Sequence, residues 1–150
     1  MRAVIQRVAH AKVVVDGSVR GEIGQGFLVL LGVGEGDTEK EAKTMAEKVA
    51  NLRIFTDEND KMNLSLLTVD GSALVISNFT LYGDTSHGRR PSFFGAAAPD
   101  SANALYEKFC ELLKEQGVKQ VEKGVFGAHM EVSLLNNGPV TMILDTKDWK

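Results

Sequence analysis

The chain has 150 residues, 43% hydrophobic and 25% charged, a balance that suits one globular domain with one core and excludes a disordered or membrane-embedded chain. Its net charge of −3 excludes a protein that coats nucleic acid through a broad basic face, though not one that grips a short nucleic-acid end by base stacking and ribose contacts. A single cysteine, Cys110, excludes an internal disulfide, no apolar run longer than Phe27–Leu31 is available to cross a bilayer, and the first residues lack a signal-peptide pattern, so the expected compartment is the cytoplasm, with no membrane partner.

In chain order, Met1–Val8 alternates as a strand, and the β-branched run Ala11–Val15 is a second. Asp16-Gly17 is a hairpin turn signal, with Val19–Ile23 returning. Phe27–Val33 is a continuous apolar run, the pattern of a strand buried on both faces. The glycines of Gly32-Val33-Gly34-Glu35-Gly36 precede a helix but lack the Lys-Ser/Thr of a phosphate loop, so they predict a tight turn. Thr38 and Glu41 form a capping box, and Ala42, Met45, Ala46, Val49 and Leu52 fall on one helical face. Thr56–Lys61 is a polar turn without the glycine and terminal glutamate of a calcium loop.

Ala73–Leu81 predicts a strand that runs into a long loop, Tyr82–Pro99, rich in Gly, Ser and Arg; loops of that length inside compact domains are often functional. A second helix follows Pro99, capped by Asp100 or Ser101. Its stripe is Ala102, Leu105, Phe109, Leu112 and Leu113, with Cys110 at the edge as a small packed hydrophobe and Gly117 as the stop. Strands follow near Gln120–Val125, Met130–Leu135 and Val140–Asp145, the last two joined as a hairpin by Asn136-Asn137-Gly138-Pro139. About eight strands and two helices give one α+β domain over 1–150, with an antiparallel sheet or barrel-like core and both helices packed outside.

The chemistry-bearing residues are sparse. His10, His87 and His129 show no metal-ligand spacing, and neither CxxC nor HExxH occurs, so no metal and no cofactor is expected. Ser77 and Thr80 lie near a strand end without a nucleophile elbow, and His87 reads as an exposed loop histidine. Two segments stand out. Polar groups end an apolar strand at Ser77-Asn78-Phe79-Thr80-Leu81, and a Gly-Pro pair interrupts a strand region at Asn136-Asn137-Gly138-Pro139-Val140-Thr141.

Those segments resemble the two signature motifs of the D-aminoacyl-tRNA deacylase family, Ser-Gln-x-Thr-Leu and Asn-x-Gly-Pro-x-Thr. The similarity extends to Ile5-Gln6-Arg7-Val8, Arg53-Ile54-Phe55, Lys61-Met62-Asn63-Leu64 and Arg90-Pro91-Ser92-Phe93. One departure is Asn78 where the family has Gln, an amide one methylene shorter with the same donors and acceptor. The resemblance implies a hydrolase that cuts the ester between a D-amino acid and the 3′ end of a tRNA, including glycine mischarged on tRNA(Ala). It also implies a homodimer with its active site at the subunit interface and a cis Gly138-Pro139 peptide that enters the partner's pocket and rejects L-amino acids. By the same resemblance, Ser77, Asn78, Phe79 and Thr80 form the catalytic segment. Phe126, Gly127 and Met130 hold the terminal adenine, and Arg7 braces the Gly-Pro segment. The competing reading is a non-catalytic nucleic-acid-binding dimer on the same fold.

Overall fold

Alternation within one apolar run organises the molecule. In strand β3 (Gly26–Gly32), Phe27, Val29 and Leu31 point toward the helices, while Leu28 and Leu30 point the other way into a second apolar cluster. A strand covered on both faces needs apolar residues at every position, which is why the run is continuous rather than alternating. The computed structural model describes residues 1–149, and β3 sits at the centre of their main sheet.

Around it lie β1 (Arg2–Val15), β2 (Ser18–Ile23), β6 (Ser72–Ser77), β7 (Val121–Lys123) and β8 (Glu131–Asp145), in the order β2-β1-β3-β6-β7 with β8 on the free side of β1. The short pair β4 (Phe55–Thr56) and β5 (Met62–Leu64) forms a separate ribbon. Pairings to β1 are antiparallel, whereas β3–β6 and β6–β7 are parallel, so the sheet is mixed. It curls until β2 approaches β7 and is nearly closed into a barrel. A Cβ on Gly21 would stand 3.0 Å from the Lys123 carbonyl, and Gln120 Nε2 donates to the Glu22 carbonyl across the gap at 3.2 Å. Helices α1 (Glu39–Asn51) and α2 (Pro99–Glu115) pack against each other and the sheet's outer face. The α+β architecture expected from the sequence is therefore present, and no helix among the described residues is long and apolar enough to cross a membrane.

Local chemistry accounts for the helix boundaries. Lys40 N–H donates to Thr38 Oγ1 at 3.3 Å and Thr38 N–H donates to Glu41 Oε2 at 2.7 Å, the reciprocal capping box expected for α1. Hydrogen bonds donated by the Thr38 hydroxyl and by the Thr38 N–H hold the Glu41 carboxyl below its ordinary pKa. The glycine cluster before α1 is a turn: Gly34 N–H donates to Asp37 Oδ2 at 2.7 Å, and the Tyr82 ring lies where a Cβ on Gly34 would be. Helix α2 starts earlier than its sequence suggests. Pro99 is its first helical residue and Ala98 its cap, with no side-chain cap bond, because proline is pre-organised for a position whose N–H would be unpaired anyway. Tyr106 and Cys110 belong to the buried face together with Ala102, Phe109 and Leu113, while Leu105 and Leu112 flank it. Burial pushes the Cys110 thiol up to about 12, so this cysteine packs and does not react.

Three strand boundaries differ from the sequence reading. Met1–Val8 and Ala11–Val15 are one strand, because β1 runs through Ala9 and His10 with register shifts on either side of Val8. Its buried positions change from Ala3 and Ile5, under the helices, to Val8, Ala11 and Val13, inside the barrel. The strand over Ala73–Leu81 stops at Ser77, and Phe79–Tyr82 forms a 3-10 turn. The last two predicted strands form no hairpin. They are collinear halves of β8, both paired to β1: Gln6 opposes Thr141 and Val8 opposes Asn136. A single β1 residue, Arg7, thus faces the four residues 137–140, which are pushed out of the ladder as a blister in an otherwise continuous strand.

Candidate active site

The parallel pairing of β3 and β6 ends with Leu31 beside Ser77, and Asn78 N–H donates to the Leu31 carbonyl at 2.8 Å. The chain then turns sharply through Phe79–Tyr82 at the mouth of a cavity of about 870 Å³. Leu30, Ile76 and Val132 bring barrel side chains to its lining, and Val33, Ala96, Ala97, Pro99 and Ala102 supply a small-residue wall. Such apolar lining with a few converging polar groups is the general form of a small-molecule or terminal-nucleotide site.

All four residues of the first motif, Ser77, Asn78, Phe79 and Thr80, line this cavity, as do Phe126, Gly127 and Met130. Phe126 is braced from behind by Tyr106, ring centroids 6.3 Å apart, and Tyr106 Oη donates to the Val75 carbonyl at 2.8 Å. Phe79 is 56% exposed and stands edge-on to Phe93, centroids 5.1 Å apart. The Thr80 hydroxyl donates to Asn78 Oδ1. The first i→i+3 bond of the turn runs from Leu81 N–H to the Asn78 carbonyl, so the N–H groups of Phe79 and Thr80 precede the bonded ladder and are available to an acceptor.

Gly138, Pro139 and Arg7 do not line this cavity. They form the blister in β8. Asn136 Nδ2 donates to the Arg7 carbonyl at 2.9 Å and to the Val140 carbonyl at 3.0 Å, tying its two ends together. Arg7 Nε donates to the Asn137 carbonyl at 3.0 Å, and Nη1 donates to the Ile54 carbonyl at 2.8 Å and to Thr56 Oγ1 at 3.2 Å. The Gly138-Pro139 peptide is cis, as the resemblance implied, and Gly138 has φ +137°. A Cβ there would stand 2.8 Å from Val140 Cγ2 and 2.9 Å from Val140 N, so only glycine fits. The segments Arg53-Ile54-Phe55 and Lys61–Leu64 support this brace at one remove: Arg53 Nε donates to the Asn63 carbonyl at 2.9 Å, and Asn63 Nδ2 donates to Asp57 Oδ2 at 3.1 Å.

Sequence reasoning missed the wall contributed by Phe93, Ala96, Ala97 and Pro99, although the length of the loop that carries them was a signal. It also missed His129, an exposed imidazole on the lining with no hydrogen bond among the described residues. No three His, Cys, Asp or Glu side chains among the described residues are grouped so as to hold a metal ion.

Comparison with known proteins agrees with the motif reading. The family described as D-Tyr-tRNA(Tyr) deacylase matches residues 4–145. A D-aminoacyl-tRNA deacylase from Thermosipho africanus is 58% identical over 98% of both chains. One from Roseiflexus castenholzii is 59% identical over 97% of this chain and 92% of its own. A solved structure described as the c-Myc DNA Unwinding Element Binding Protein superposes with a TM-score of 0.91 at 39% identity, covering 97% of this chain and 98% of its own.

Proposed function

This chain belongs to the D-Tyr-tRNA(Tyr) deacylase family, and from that premise we propose that it hydrolyses the ester of D-aminoacyl-tRNA in the cytoplasm, using a backbone filter that one protomer inserts into the cavity of its partner. The observation that carries this reading is a complementarity of shape within one chain. The first motif lines a concave, largely apolar cavity, while the second is a looped-out blister that lies outside that cavity. Two copies related by a twofold axis satisfy both at once, since each offers the same plug and the same socket. The outer edge of β8 is suited to that contact. Among the described residues it pairs with no strand, and Leu135 and Ile143 lie exposed on either side of the blister; long apolar edges of this kind call for a partner.

In the assembled site, the terminal adenine rests against Phe126, Gly127 and Met130. The ester carbonyl lies at the N–H groups of Phe79 and Thr80, which stabilise the oxygen as it gains charge. Water attacks the carbonyl carbon, the bond to the 3′ oxygen breaks, and that oxygen leaves with a proton. The Thr80 hydroxyl is a poor nucleophile here, because its proton goes to an amide oxygen, Asn78 Oδ1, and not to a base. The adjacent ribose 2′-OH assists instead, with the protein holding the ester in place. The main-chain oxygens of Gly138 and Pro139 face the α-carbon. An L side chain would run into that wall, whereas a D side chain points away from it, and glycine has nothing to be refused. Glycyl-tRNA, including glycine mischarged on tRNA(Ala), is therefore a substrate.

The test is a paired assay. Purified protein treated with a chelator releases D-tyrosine from D-tyrosyl-tRNA and leaves L-tyrosyl-tRNA intact; equal cleavage of the two contradicts the filter. A second reading, a nucleic-acid-binding dimer without catalysis, draws on the name of the structural neighbour that binds a DNA unwinding element. The net charge of −3 weighs against it. Retention of bare DNA in a gel at physiological salt, with no deacylation, would favour it.

A further inference from the structure

Phe94 is 90% exposed, more than any other large apolar side chain among the described residues. It follows directly on Phe93, which lines the cavity and stands against Phe79. The segment that presents it is fixed in place. Ala97 N–H donates to the Val33 carbonyl at 3.0 Å, Glu35 N–H to the Gly95 carbonyl at 2.9 Å, and Ala96 N–H to the Phe93 carbonyl at 3.1 Å. On its other side, Asp84 and Ser92 exchange backbone bonds of 2.7 and 2.9 Å, closing the base of a loop whose tip carries Arg89 and Arg90, both exposed. Neither arginine forms an ion pair among the described residues. The nearest carboxylate along the loop, Asp84, is engaged by Ser86 N–H and Oγ at 2.9 and 2.6 Å, which hold it below its ordinary pKa.

An exposed aromatic face four and five residues along the chain from two uncommitted guanidinium groups, on a chain of net negative charge, is the combination that single-stranded nucleic acid requires: a surface for a base and cations for the backbone. We infer that the segment Arg89–Phe94 is a clamp for the unpaired nucleotides just before the terminal adenosine, with Phe94 stacking on a base and Arg89 and Arg90 pairing with phosphates. The inference rests on the deacylase reading above. It adds a second contact point outside the cavity, one that a substrate ending at the terminal nucleoside would not reach. Sequence-tolerant stacking suits an enzyme that must accept many tRNAs, since every base has a face to offer.

The experiment compares two substrates, D-aminoacyl-tRNA and D-aminoacyl-adenosine, with the full-length protein and the variants Phe94→Ala and Arg89→Ala/Arg90→Ala. With tRNA, Phe94→Ala raises KM by about five-fold or more, the lower end of what one stacked base contributes. The double arginine variant lowers the slope of log(kcat/KM) against log[salt] by about 1.4, the value for two phosphate contacts on a single strand. With D-aminoacyl-adenosine both variants match the unaltered protein. Unchanged kinetics on tRNA would overturn the clamp alone. An equal fall on both substrates, or a shift of Phe94→Ala to monomer in sedimentation, would overturn it in favour of a cavity-supporting or subunit-contact role. An unaltered protein that cleaves neither substrate would overturn the deacylase reading and the clamp with it.

Discussion

The cavity mouth and the β8 blister are built on opposite principles. At the mouth, the polar groups of Ser77–Thr80 end a strand and sit on a short turn, backed by apolar packing from Ile76, Leu30 and the braced ring of Phe126. In the blister Val140 anchors one end in the core, whereas Asn137, Gly138 and Pro139 are exposed and are held by hydrogen bonds from Arg7 and Asn136 to main-chain carbonyls. A pocket that admits varied substrates needs volume and tolerant walls. The chiral filter proposed above needs atoms that do not yield, and main-chain oxygens fixed at several points yield least.

The comparison breaks most visibly at Gly138. In Gly138→Ala the new methyl meets Val140 at a backbone conformation that alanine resists. The ratio of D- to L-tyrosyl-tRNA cleavage falls by about a hundred-fold, the scale of a 1 Å misplacement, while the melting temperature changes little because Gly138 itself is exposed. If plug and socket come from different protomers, mixing this variant with the cavity-side variant Phe126→Ala restores about a quarter of the sites, since half the dimers are mixed and one of their two sites is intact. No recovery on mixing, in subunits shown to exchange, would mean that each protomer completes its own site.

Arg7→Ala sharpens the same contrast with a smaller effect. Three charge-assisted bonds are lost, but Asn136 still ties the ends of the blister, so selectivity falls about ten-fold with little change in kcat toward the D substrate. Arg7→Lys does not restore it, because an ammonium cannot span the Asn137 and Ile54 carbonyls from one planar fork. Thr80→Ala has the smallest effect. Deacylation drops less than about ten-fold and no acyl-enzyme accumulates on denaturing quench, whereas loss of a true nucleophile costs on the order of a million-fold.

What could be read beforehand divides along the same line. Both helices, the capping box at Thr38, the turn at Asp16-Gly17 and the doubly buried β3 follow from periodicity and local propensity, and the structure has them. The cavity segment was visible as a polar end to an apolar strand, although Phe79–Tyr82 winds into a 3-10 turn that propensity does not announce. The Gly-Pro segment was misjudged as a hairpin. Asn-Asn-Gly-Pro has the composition of a turn, and only the pairing of both flanks with β1 makes it a blister; that pairing is a long-range fact, with Gln6 and Thr141 at opposite ends of the chain. The parallel register of β3 with β6 is equally non-local. The loop wall at Phe93–Pro99 was missed, since small residues carry no periodic signal and only the length of the loop that bears them stood out.

The continuity of β8 on both sides of its four looped-out residues has a consequence for heat. Those residues have no hinge of their own, since each flank is locked in the same ladder against β1. Softening them means stripping β8 from β1 along the longest pairing in the sheet, and that takes much of the fold with it. Accuracy toward mirror-image substrates should therefore stay level as temperature rises and disappear together with the fold, without an interval in which a warm enzyme remains active but careless.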